Sequence, residues 1–512
     1  MLEKKVHRPF GVRDKVGYMF GDFGCNMSFQ LITAYLMLFV TQGLGISPIG
    51  WATIVIIAKI FDAINDPIIG AIVDSTRPSR IGKFKPWIFW GSFAIAITTT
   101  LLFVDVSSFP YASKFAYVLV MYMVWSIAYT AANVPYGSLN AVLTDDPGQR
   151  ASLSSLRSIG AGVAMLPIMI AMPLIVYNEG GSIKPGVFVW VAMVAGVVGI
   201  LGFMLTVFLT EERLVKTTGR VKFNYLATLK GFFKNRAILA LCLASFAQLV
   251  FILTYSITFP LVFQFYFRNT KLISVASVLL MFPMMLFIPF ISKLSVRFGT
   301  KEISAMPNIL SIIVLMVMLF LPFPRTDGGA WMYTIMYMVA MLGGGTFMLT
   351  TWSMVADAVD SQEIATGRRE EASVYATYSL ARKIAQGVGA SLVALLLSAV
   401  GYMTEGMSQS ELVEYNSSEG VSMGILRLSI LLPLIGFVVV FLVMTFMYNL
   451  SKKKVMENTT LLRAMHGETY IDTSPTRLFY ESGARDTSHI AMGAENIELM
   501  ESADTFIDVD DD

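Results

Sequence analysis

The most unusual feature of this sequence is a group of charged residues inside an apolar segment, IAKIFDAINDPIIGAIVD, at residues 57–74. Lys59, Asp62 and Asp66 are spaced i, i+3 and i+7, so they would share one face of a helix. A charge at the centre of a bilayer costs roughly 2.5–3.5 kcal/mol on insertion scales, so this face should point into the protein. There, two carboxylates could offer oxygen ligands to a small cation, or one could carry a proton. The alternative is a buried ion pair between Lys59 and either aspartate that only holds helices together.

The composition predicts that such a bilayer surrounds the chain. Of 512 residues, 55% are hydrophobic and 14% are charged, and the mean hydropathy is +0.64, well above that of a soluble protein. The first residues lack the apolar core and cleavage site of a signal peptide, so the first apolar segment should be retained. The net charge of +2 indicates no nucleic-acid partner. We therefore predict a multi-pass membrane protein.

Twelve segments are candidates for membrane-spanning helices, since a span needs about 20 mostly apolar residues. They lie at approximately 16–40, 47–73, 86–105, 114–143, 151–176, 186–210, 237–266, 273–295, 303–323, 330–357, 373–400 and 423–448. Helices are expected because an open sheet cannot satisfy its backbone in lipid. The predicted fold is all-α and integral to the membrane, with twelve transmembrane helices.

Basic residues predict the orientation of these helices, because short cytoplasmic loops carry an excess of Lys and Arg. Such residues precede the first span, separate the second and third, and crowd the central linker, whereas the loop at 401–420 has four Glu and no basic residue. Both termini should therefore be cytoplasmic. The predicted organisation is an N-terminal six-helix half at 1–210, a cytoplasmic linker at 211–236, a C-terminal six-helix half at 237–450, and a polar cytoplasmic tail at 451–512 that is expected to be disordered.

The two halves also resemble each other in sequence. GAIVDSTRPSRIGKFKPW leads from span two into span three, and SKLSVRFGTKE leads from span eight into span nine. Similarly, TDDPGQRASLSSLRSIGAGVA and VDSQEIATGRREEASVYATYSLARKIAQGVGA each place Asp, then Arg, then Ser before a Gly-x-Gly. Two related six-helix halves with a site between them are the architecture of a secondary transporter.

Several motifs carry a resemblance to a known family. The loop residues Gly70, Asp74, Arg80, Gly82 and Lys83 resemble the signature of the major facilitator superfamily. With DAINDPIIG (62–70), RIGKFKPW (80–87), NVPYGSLNAVLTDDPGQR (133–150) and VADAVDSQE (355–363), the chain resembles the glycoside-pentoside-hexuronide:cation symporter family over most of residues 13–450. The resemblance implies a major facilitator fold and cation-coupled symport of a sugar such as a glycoside, oligosaccharide, pentoside or hexuronide. It also implies a location in the cell inner (plasma) membrane.

The resemblance further implies a cation site at Asp62 and Asp66. Where the family pattern has a third carboxylate on helix four, this chain has Asn133, while Thr130 one turn earlier can still offer a hydroxyl. Hard cations select sites by ligand charge and number, so the missing charge weakens a sodium site more than a proton site. We therefore expect proton rather than sodium coupling, with no cofactor apart from the coupling ion and no bound metal centre.

The residues expected to bind the substrate are polar side chains on several helices. Those implied by the resemblance are Asn26, Asn133, Tyr136, Arg157 and Lys383. Asn26 stands where the family has a sugar-binding carboxylate, and Gly137 where it has a large aromatic residue. Arg157 and Lys383 could donate hydrogen bonds to hydroxyls or to a uronate. Alternatively, they neutralise the helix-two aspartates in the empty carrier, and this reading does not exclude the first.

Charge pairs at the cytoplasmic ends of spans could act as gates, because such pairs can lock two helices in one state and break in the other. The candidates are Asp74 with Arg80 and Lys83, Asp145 with Arg150, and Asp22 near the start of span one. Neither an enzyme nor a channel is indicated, since no catalytic cluster or pore filter is visible. The remaining alternative is a carrier of lysolipid or another organic solute on the same fold. In either case a monomer is expected.

Overall fold

The computed structural model describes residues 8–144, 147–213, 235–366 and 371–466. This part of the chain is helical and contains no strand; isolated bridges join Ser79 to Gly82 and Tyr177 to Ile183 in two turns. Because a helix satisfies its own backbone hydrogen bonds, this is the structure that apolar segments of this length adopt in lipid.

Six long helices form the N-terminal half. They are α1 (Val12–Leu38), α2 (Pro48–Ser75), α3 (Lys85–Leu102), α4 (Tyr111–Leu143), α5 (Pro147–Val176) and α6 (Pro185–Leu209). The start of α2 is fixed by Ser47, whose side chain accepts a hydrogen bond from the backbone N–H of Gly50, and by Pro48 in the first turn. The charged segment at 57–74 therefore lies on a continuous helix, as its spacing predicts.

Six further helical elements form the C-terminal half. They are α7 (Arg236–Leu261), α8 (Leu272–Phe298), α9 (Thr300–Phe320, with a break at Met306), α10 (Asp327–Thr366), α11 (Glu371–Ala399) and α12 (Glu419–Leu442). A short helix, Gln409–Asn416, lies between α11 and α12. Each predicted span overlaps one of α1–α12, and eight of the described helices are long and apolar enough to cross a membrane. The predicted all-α membrane fold is confirmed.

The beginning of the C-terminal tail differs from expectation. Lys452–His466 forms a helix, α13, which packs against α10. Its residues Asn458 and Leu462 are buried, and Val455 is half-buried, at the i, i+3 and i+7 positions of one face. Disorder is therefore the wrong prediction for 452–466, because a polar average conceals this narrow contact face. Residues 467–512 lie outside the described part of the chain.

The bundle has two ends that differ in charge. We call the end that carries Arg8, Arg77 and Lys452 the basic end, and the end that carries the 401–420 loop the acidic end. The basic end is the one predicted to be cytoplasmic. These names refer to charge alone.

The first residues of the predicted linker are fixed to the N-terminal half at the basic end. Glu212 accepts hydrogen bonds from the backbone N–H groups of residues 83–85, at 2.7, 2.9 and 3.0 Å. A carboxylate at this position satisfies donors that the start of α3 would otherwise leave unpaired. Gly82 is required beside it, because its φ is +127° and a Cβ would lie 2.5 Å from the Glu212 carboxylate.

The two halves are joined at the acidic end by a pair of buried glutamines, which we call the amide clasp. α1 and α7 each continue into a five-residue π-helix, Phe39–Gly43 and Val262–Tyr266, and each π-helix carries one glutamine. Gln42 Nε2 donates to Gln264 Oε1 at 3.0 Å, and Gln264 Nε2 donates to Gln42 Oε1 at 2.8 Å. α1 and α7 are the first helices of their halves, so the clasp joins corresponding places in the element order.

Candidate functional site

The charged face of α2 points towards α4, where Asp62 has two partners. Lys59 Nζ lies 2.9 Å from Asp62 Oδ2, and Ser126 Oγ on α4 donates a hydrogen bond to Asp62 Oδ1. Asp62 is buried, with 9% of its surface exposed. The sequence left an ion pair of Lys59 with Asp62 or Asp66 open, and the structure selects Asp62. Its carboxylate is thus fully paired within the N-terminal half.

Asp66, one turn further along α2, is held by residues of both halves. Thr130 Oγ1 on α4 donates to Asp66 Oδ1 at 2.7 Å, and Lys383 on α11 forms an ion pair with Asp66 Oδ2. The Lys383 side chain is 47% exposed, whereas that of Asp66 is 17% exposed. The structure thus places Asp62, Asp66, Thr130 and Lys383 in one group. With Lys59 and Ser126, these residues form what we call the α2 cluster. This ion pair is a direct polar link between the halves.

Close contact between α2 and α11 keeps this link in place. A Cβ added at Gly387 would lie 2.7 Å from Lys59 Cγ and 2.9 Å from Lys59 Cβ, so α11 presents bare backbone to the lysine. Lys59 Nζ also lies 5.9 Å from the ring centre of Tyr122. Towards the acidic end, Ser391 Oγ donates to the carbonyl of Ala52 at 3.1 Å. The two helices therefore touch along several turns.

A second group of charges, which we call the α1 cluster, joins α1 to α5. Arg157 Nε lies 2.9 Å from Asp22 Oδ1, and Asn26 Nδ2 donates to Asp22 Oδ2 at 2.9 Å. Asp22 lies well inside α1, not at a helix end as a gate would. Arg157 pairs with Asp22 and not with an aspartate of α2, so only Lys383 fits the expectation that the basic residues neutralise that helix.

The aromatic ring of Tyr136 packs near the guanidinium of Arg157. Tyr136 is fully buried, its ring stacks on that of Tyr18 with centroids 4.8 Å apart, and its hydroxyl donates to the Tyr18 carbonyl at 2.8 Å. The Arg157 guanidinium lies 5.2 Å from the Tyr136 ring centre. Tyr136 therefore orients Arg157 through its face, and its hydroxyl is already engaged. Direct contact of Tyr136 with a substrate stays a prediction.

Asn133 lies on α4 between the two clusters but turns towards α1. Its described partner is Cys25, whose Sγ is 3.6 Å from Asn133 Oδ1. Thr130, one turn earlier, reaches Asp66 instead. The structure therefore brings Thr130 to the carboxylates of α2 and Asn133 to the α1 cluster, and both roles predicted for Asn133 stay predictions.

An aromatic row on α4 connects the two clusters. The rings of Tyr122, Trp125 and Tyr129 follow one another with centroids 5.7 and 5.2 Å apart, and Tyr129 stacks on Phe29 of α1 at 5.5 Å. Tyr129 and Phe29 are only half-buried. Their faces offer an apolar surface near Asn26 of the kind that cyclic ligands stack on.

The predicted gating residues are only partly described. Arg80 is exposed in the turn before α3, and Lys83 is buried with its backbone N–H bound to Glu212. The side chains of Asp74 and Arg150, and all of Asp145, lie outside the described part of the chain. The gating pairs therefore stay predictions.

The sequence missed Ser126 and Asn65, and it predicted a gating role for Asp22 instead of its place beside Asn26 and Arg157. Ser126 precedes Thr130 by one turn, and Asp22 precedes Asn26 by one turn, so i, i+4 spacing was the available signal for both. Asn65, between the two aspartates of α2, is buried, and its Nδ2 has no hydrogen-bond partner among the described residues. An unpaired buried amide on the helix that carries the two aspartates marks a place where a bound group could complete the hydrogen bonding.

Comparison with known proteins places this geometry in context. The family model described as "MFS/sugar transport protein" matches residues 17–452. A "Glucuronide carrier protein homolog" of Escherichia coli (strain K12) is 26% identical over 457 residues, covering 88% of this chain and 95% of the relative. An "Isoprimeverose transporter" of Lactiplantibacillus pentosus is 28% identical over 400 residues, covering 76% and 81%. An "Uncharacterized symporter YjmB" of Bacillus subtilis (strain 168) is 26% identical over 457 residues, covering 89% and 96%.

Solved structures share the fold at lower identity. A bacterial homolog of the human lysosomal transporter Spinster, inward-facing and occupied, has a TM-score of 0.59 at 12% identity, covering 84% of this chain and 95% of that one. The nucleoside transporter NupG has a TM-score of 0.56 at 15% identity, covering 86% and 100%. The predicted resemblance to symporters of the major facilitator superfamily is confirmed, and the relatives are membrane transporters rather than enzymes.

Proposed function

Because the chain belongs to the family of MFS/sugar transport proteins, we propose that it is a cation-coupled symporter that carries a sugar by alternating access. Relatives include a "Glucuronide carrier protein homolog" and an "Isoprimeverose transporter", so both acidic and neutral sugars occur among their names. The proposed location is the inner (plasma) membrane, with both termini in the cytoplasm and the monomer as the working unit. The substrate class is a glycoside, oligosaccharide, pentoside or hexuronide.

The observation that carries the proposal is the arrangement of the two carboxylates of α2. Each lies between a lysine and a hydroxyl of α4, and the lysine of Asp66 comes from the other half. Charges at this depth are tolerated when they are paired. A cation that binds a carboxylate must therefore displace a lysine, which makes ion binding and the position of the halves mutually dependent.

This dependence gives a transport cycle. A cation or proton at Asp66 removes the partner of Lys383, and the ion pair between α2 and α11 is lost. The halves can then move relative to each other with sugar and ion bound between them. After both are released, Lys383 returns to Asp66 and keeps the empty site neutral. The lysine thus takes the place of the ion on the return step.

Proton coupling is favoured over sodium by the ligands near these carboxylates. Among the described residues, the uncharged oxygen atoms that contact the carboxylates of α2 are the hydroxyls of Ser126 and Thr130. Asn133, which stands where the family pattern has a third carboxylate, faces Cys25 instead. A proton needs a single carboxylate oxygen, whereas hard metal cations need several oxygen ligands with sufficient charge.

The sugar would bind beside the α1 cluster. Arg157 presents hydrogen-bond donors there. Asn26, whose Nδ2 donates to the carbonyl and the carboxylate of Asp22, presents its Oδ1 as an acceptor. Lys383 becomes a further donor once the ion has displaced it. The half-buried rings of Phe29 and Tyr129 supply an apolar face for the sugar ring. Few polar groups on an apolar lining are the usual composition of a small-molecule site.

Uptake into sealed, oriented membrane vesicles tests the proposal. A panel of neutral glycosides, pentosides and uronides is offered with an imposed proton gradient, an imposed sodium gradient, or neither. The parent should accumulate at least one sugar under a proton gradient. Asp62→Asn, Asp66→Asn and the double variant should lose accumulation, while Asp105→Asn, at an exposed aspartate of the α3–α4 loop, should keep it.

Two outcomes would contradict the proposal. If the double variant still accumulates sugar under an ion gradient alone, the α2 carboxylates do not couple transport. If unlabelled lysolipid competes with labelled sugar, or is itself carried while no sugar is, the carrier belongs to the lipid or other organic-solute class. Sodium-driven accumulation in place of proton-driven accumulation would correct only the identity of the ion.

A further inference from the structure

We propose that Asp22 determines the charge of the sugar that this carrier accepts, because it neutralises Arg157 and so favours uncharged glycosides over uronides. This inference rests on the proposed function, and it narrows the substrate class that the function leaves broad. Asp22 thereby becomes a specificity-determining residue that acts through the arginine. No contact between Asp22 and the sugar is required.

The carboxylate is held so that it cannot easily leave the arginine. Its Oδ1 lies 2.9 Å from Arg157 Nε, and its Oδ2 accepts a hydrogen bond from Asn26 Nδ2 at 2.9 Å. The Asp22 side chain is 7% exposed, whereas that of Arg157 is 39% exposed. The negative charge is therefore held beside the guanidinium, while part of the Arg157 side chain stays accessible.

The exposed part of the guanidinium can still donate hydrogen bonds. A guanidinium has five N–H donors, and the described contact with Asp22 uses only the one on Nε. The nearest atom to a Cβ added at Gly137 would be Arg157 Nη1, at 3.8 Å, so no side chain fills the space on that side. The ring centre of Tyr136 lies 5.2 Å from the guanidinium carbon and supports it. A sugar hydroxyl can accept from the terminal nitrogens without disturbing the ion pair.

A uronate bound at Arg157 would bring a second negative charge next to Asp22. Its carboxylate would compete with Asp22 for one guanidinium and would stand within a few ångströms of a fixed like charge, which is unfavourable in a partly desolvated site. In the empty carrier the α2 cluster does not compensate this repulsion, because its two lysines pair with its two aspartates. The six charged side chains of the two clusters sum to zero. Discrimination against an anion thus arises from repulsion as well as from lost attraction.

Matched sugar pairs test this inference in purified carrier reconstituted into proteoliposomes. The probes are 4-nitrophenyl glucosides and galactosides, in both anomeric forms, and the corresponding uronides, which differ only at the C6 carboxylate. The parent should prefer the neutral member of each pair that it accepts. Asp22→Asn, which keeps the shape and exposes the charge of Arg157, should shift the uronide-to-glycoside ratio of uptake by about tenfold or more towards the uronide.

A double variant separates charge from shape. Asp22→Asn with Arg157→Gln removes both charges and should cancel the shift towards uronides, although uptake of both sugars falls because a donor is lost. If Asp22→Asn cannot be obtained in folded form, the uronide-to-glycoside ratio of uptake in the parent still tests the inference, because it requires no variant. Thermal unfolding of each purified variant establishes whether it is folded.

The outcomes distinguish this inference from the function beneath it. A parent that prefers the uronide, or a folded Asp22→Asn carrier with an unchanged ratio, overturns the role of Asp22 and leaves sugar symport intact. A folded parent that carries no member of any pair, and no other sugar of the wider panel, overturns the proposed function and the inference with it. A shifted ratio in Asp22→Asn that the double variant cancels supports both.

Discussion

The two aspartates of α2 have the same kinds of partner, but Asp62 is paired within one half of the protein and Asp66 is paired with residues of both halves. Asp62 pairs with Lys59 on its own helix, three residues away, and with Ser126 of the same half. Asp66 pairs with Thr130 of the same half and with Lys383 of the other. Lys59–Asp62 therefore travels with α2 as a unit, whereas Lys383–Asp66 changes whenever the halves move. In the proposed cycle, only the second pair links the binding of an ion to a change of conformation.

The largest expected difference comes from removing each pair as a whole. Asp66→Asn with Lys383→Gln and Asp62→Asn with Lys59→Gln should both abolish gradient-driven accumulation, because each removes a carboxylate of the proposed cation site. Only the first should loosen the contact between α2 and α11. Disulfide formation between cysteines introduced at Ala52 and Ser391 measures that contact, since Ser391 Oγ lies 3.1 Å from the Ala52 carbonyl.

A cross-link yield that falls equally in both double variants would show that the two pairs are mechanically equivalent. The double variants are preferable to single ones here, because removing one partner of a buried pair leaves an unpaired charge and damages folding for unrelated reasons. The parent carrying only the two cysteines provides the reference yield.

Replacing each lysine singly should distinguish an effect on the return step of transport from an effect on the stability of the fold. Lys383→Gln leaves Asp66 without its positive partner in the empty carrier, so net uptake should slow much more than exchange of internal for external sugar. The Lys59 side chain is covered by α11. Lys59→Gln should therefore lower the melting temperature and leave the ratio of net uptake to exchange unchanged. Equal slowing of net uptake and exchange in Lys383→Gln would contradict the proposed return of the lysine.

The hydroxyls of α4 should give a smaller effect that identifies the coupling ion. Thr130→Val removes a hydrogen bond that stabilises the charged form of Asp66, worth roughly 1.5–3 kcal/mol for a charged partner. With proton coupling, half-maximal uptake should move to higher pH by about 1–2 units. With sodium coupling, the sodium concentration needed should instead rise at least about tenfold, because an oxygen ligand is lost.

Ser126→Ala is the matched control for that experiment, because it removes the equivalent hydrogen bond from Asp62. If Asp66 alone exchanges its ion against a lysine of the other half, Ser126→Ala should produce the smaller shift. Equal shifts in the two variants would indicate that the ion is shared evenly between the two carboxylates.

The smallest expected effect concerns the close approach of α11 to α2. Gly387→Ala would place a Cβ 2.7 Å from Lys59 Cγ, an overpacking that typically costs about 1–3 kcal/mol. The rate of uptake should fall, while the ion concentration for half-maximal uptake stays the same. Gly70→Ala, on α2, is the control, because a Cβ there meets nothing within 4 Å. A changed ion dependence in Gly387→Ala would show that the contact shapes the cation site itself.

Features that follow from local pattern could be predicted from the sequence, and those that depend on which helices are neighbours could not. Hydropathy and length were sufficient for the positions of α1–α12, and the i, i+3 and i+7 spacing was sufficient for the charged face of α2. The meeting of Thr130 with Asp66 agrees with the family resemblance. The pairing of Arg157 with Asp22 was missed, since the packing of α5 on α1 decides it.

The same limit explains the other differences. Glu212 looked like part of a solvated linker, and only the fold brings it to the start of α3. The helix at 452–466 was hidden by its polar average, although Val455, Asn458 and Leu462 form a contact face. Ser126 was overlooked because a hydroxyl in an apolar helix is ordinary until a carboxylate is placed opposite it.

The amide clasp at the acidic end has a consequence for the environments in which the protein can work. Gln42 and Gln264 carry no charge, and the tyrosine that accepts from Gln42 at 2.9 Å, Tyr402, has a pKa raised by burial to about 12. Neither acidity nor ionic strength in the ordinary range alters these groups. In the proposed proton-coupled cycle, a change of external pH therefore alters the driving force on the carrier and leaves the polar contacts of the clasp unchanged.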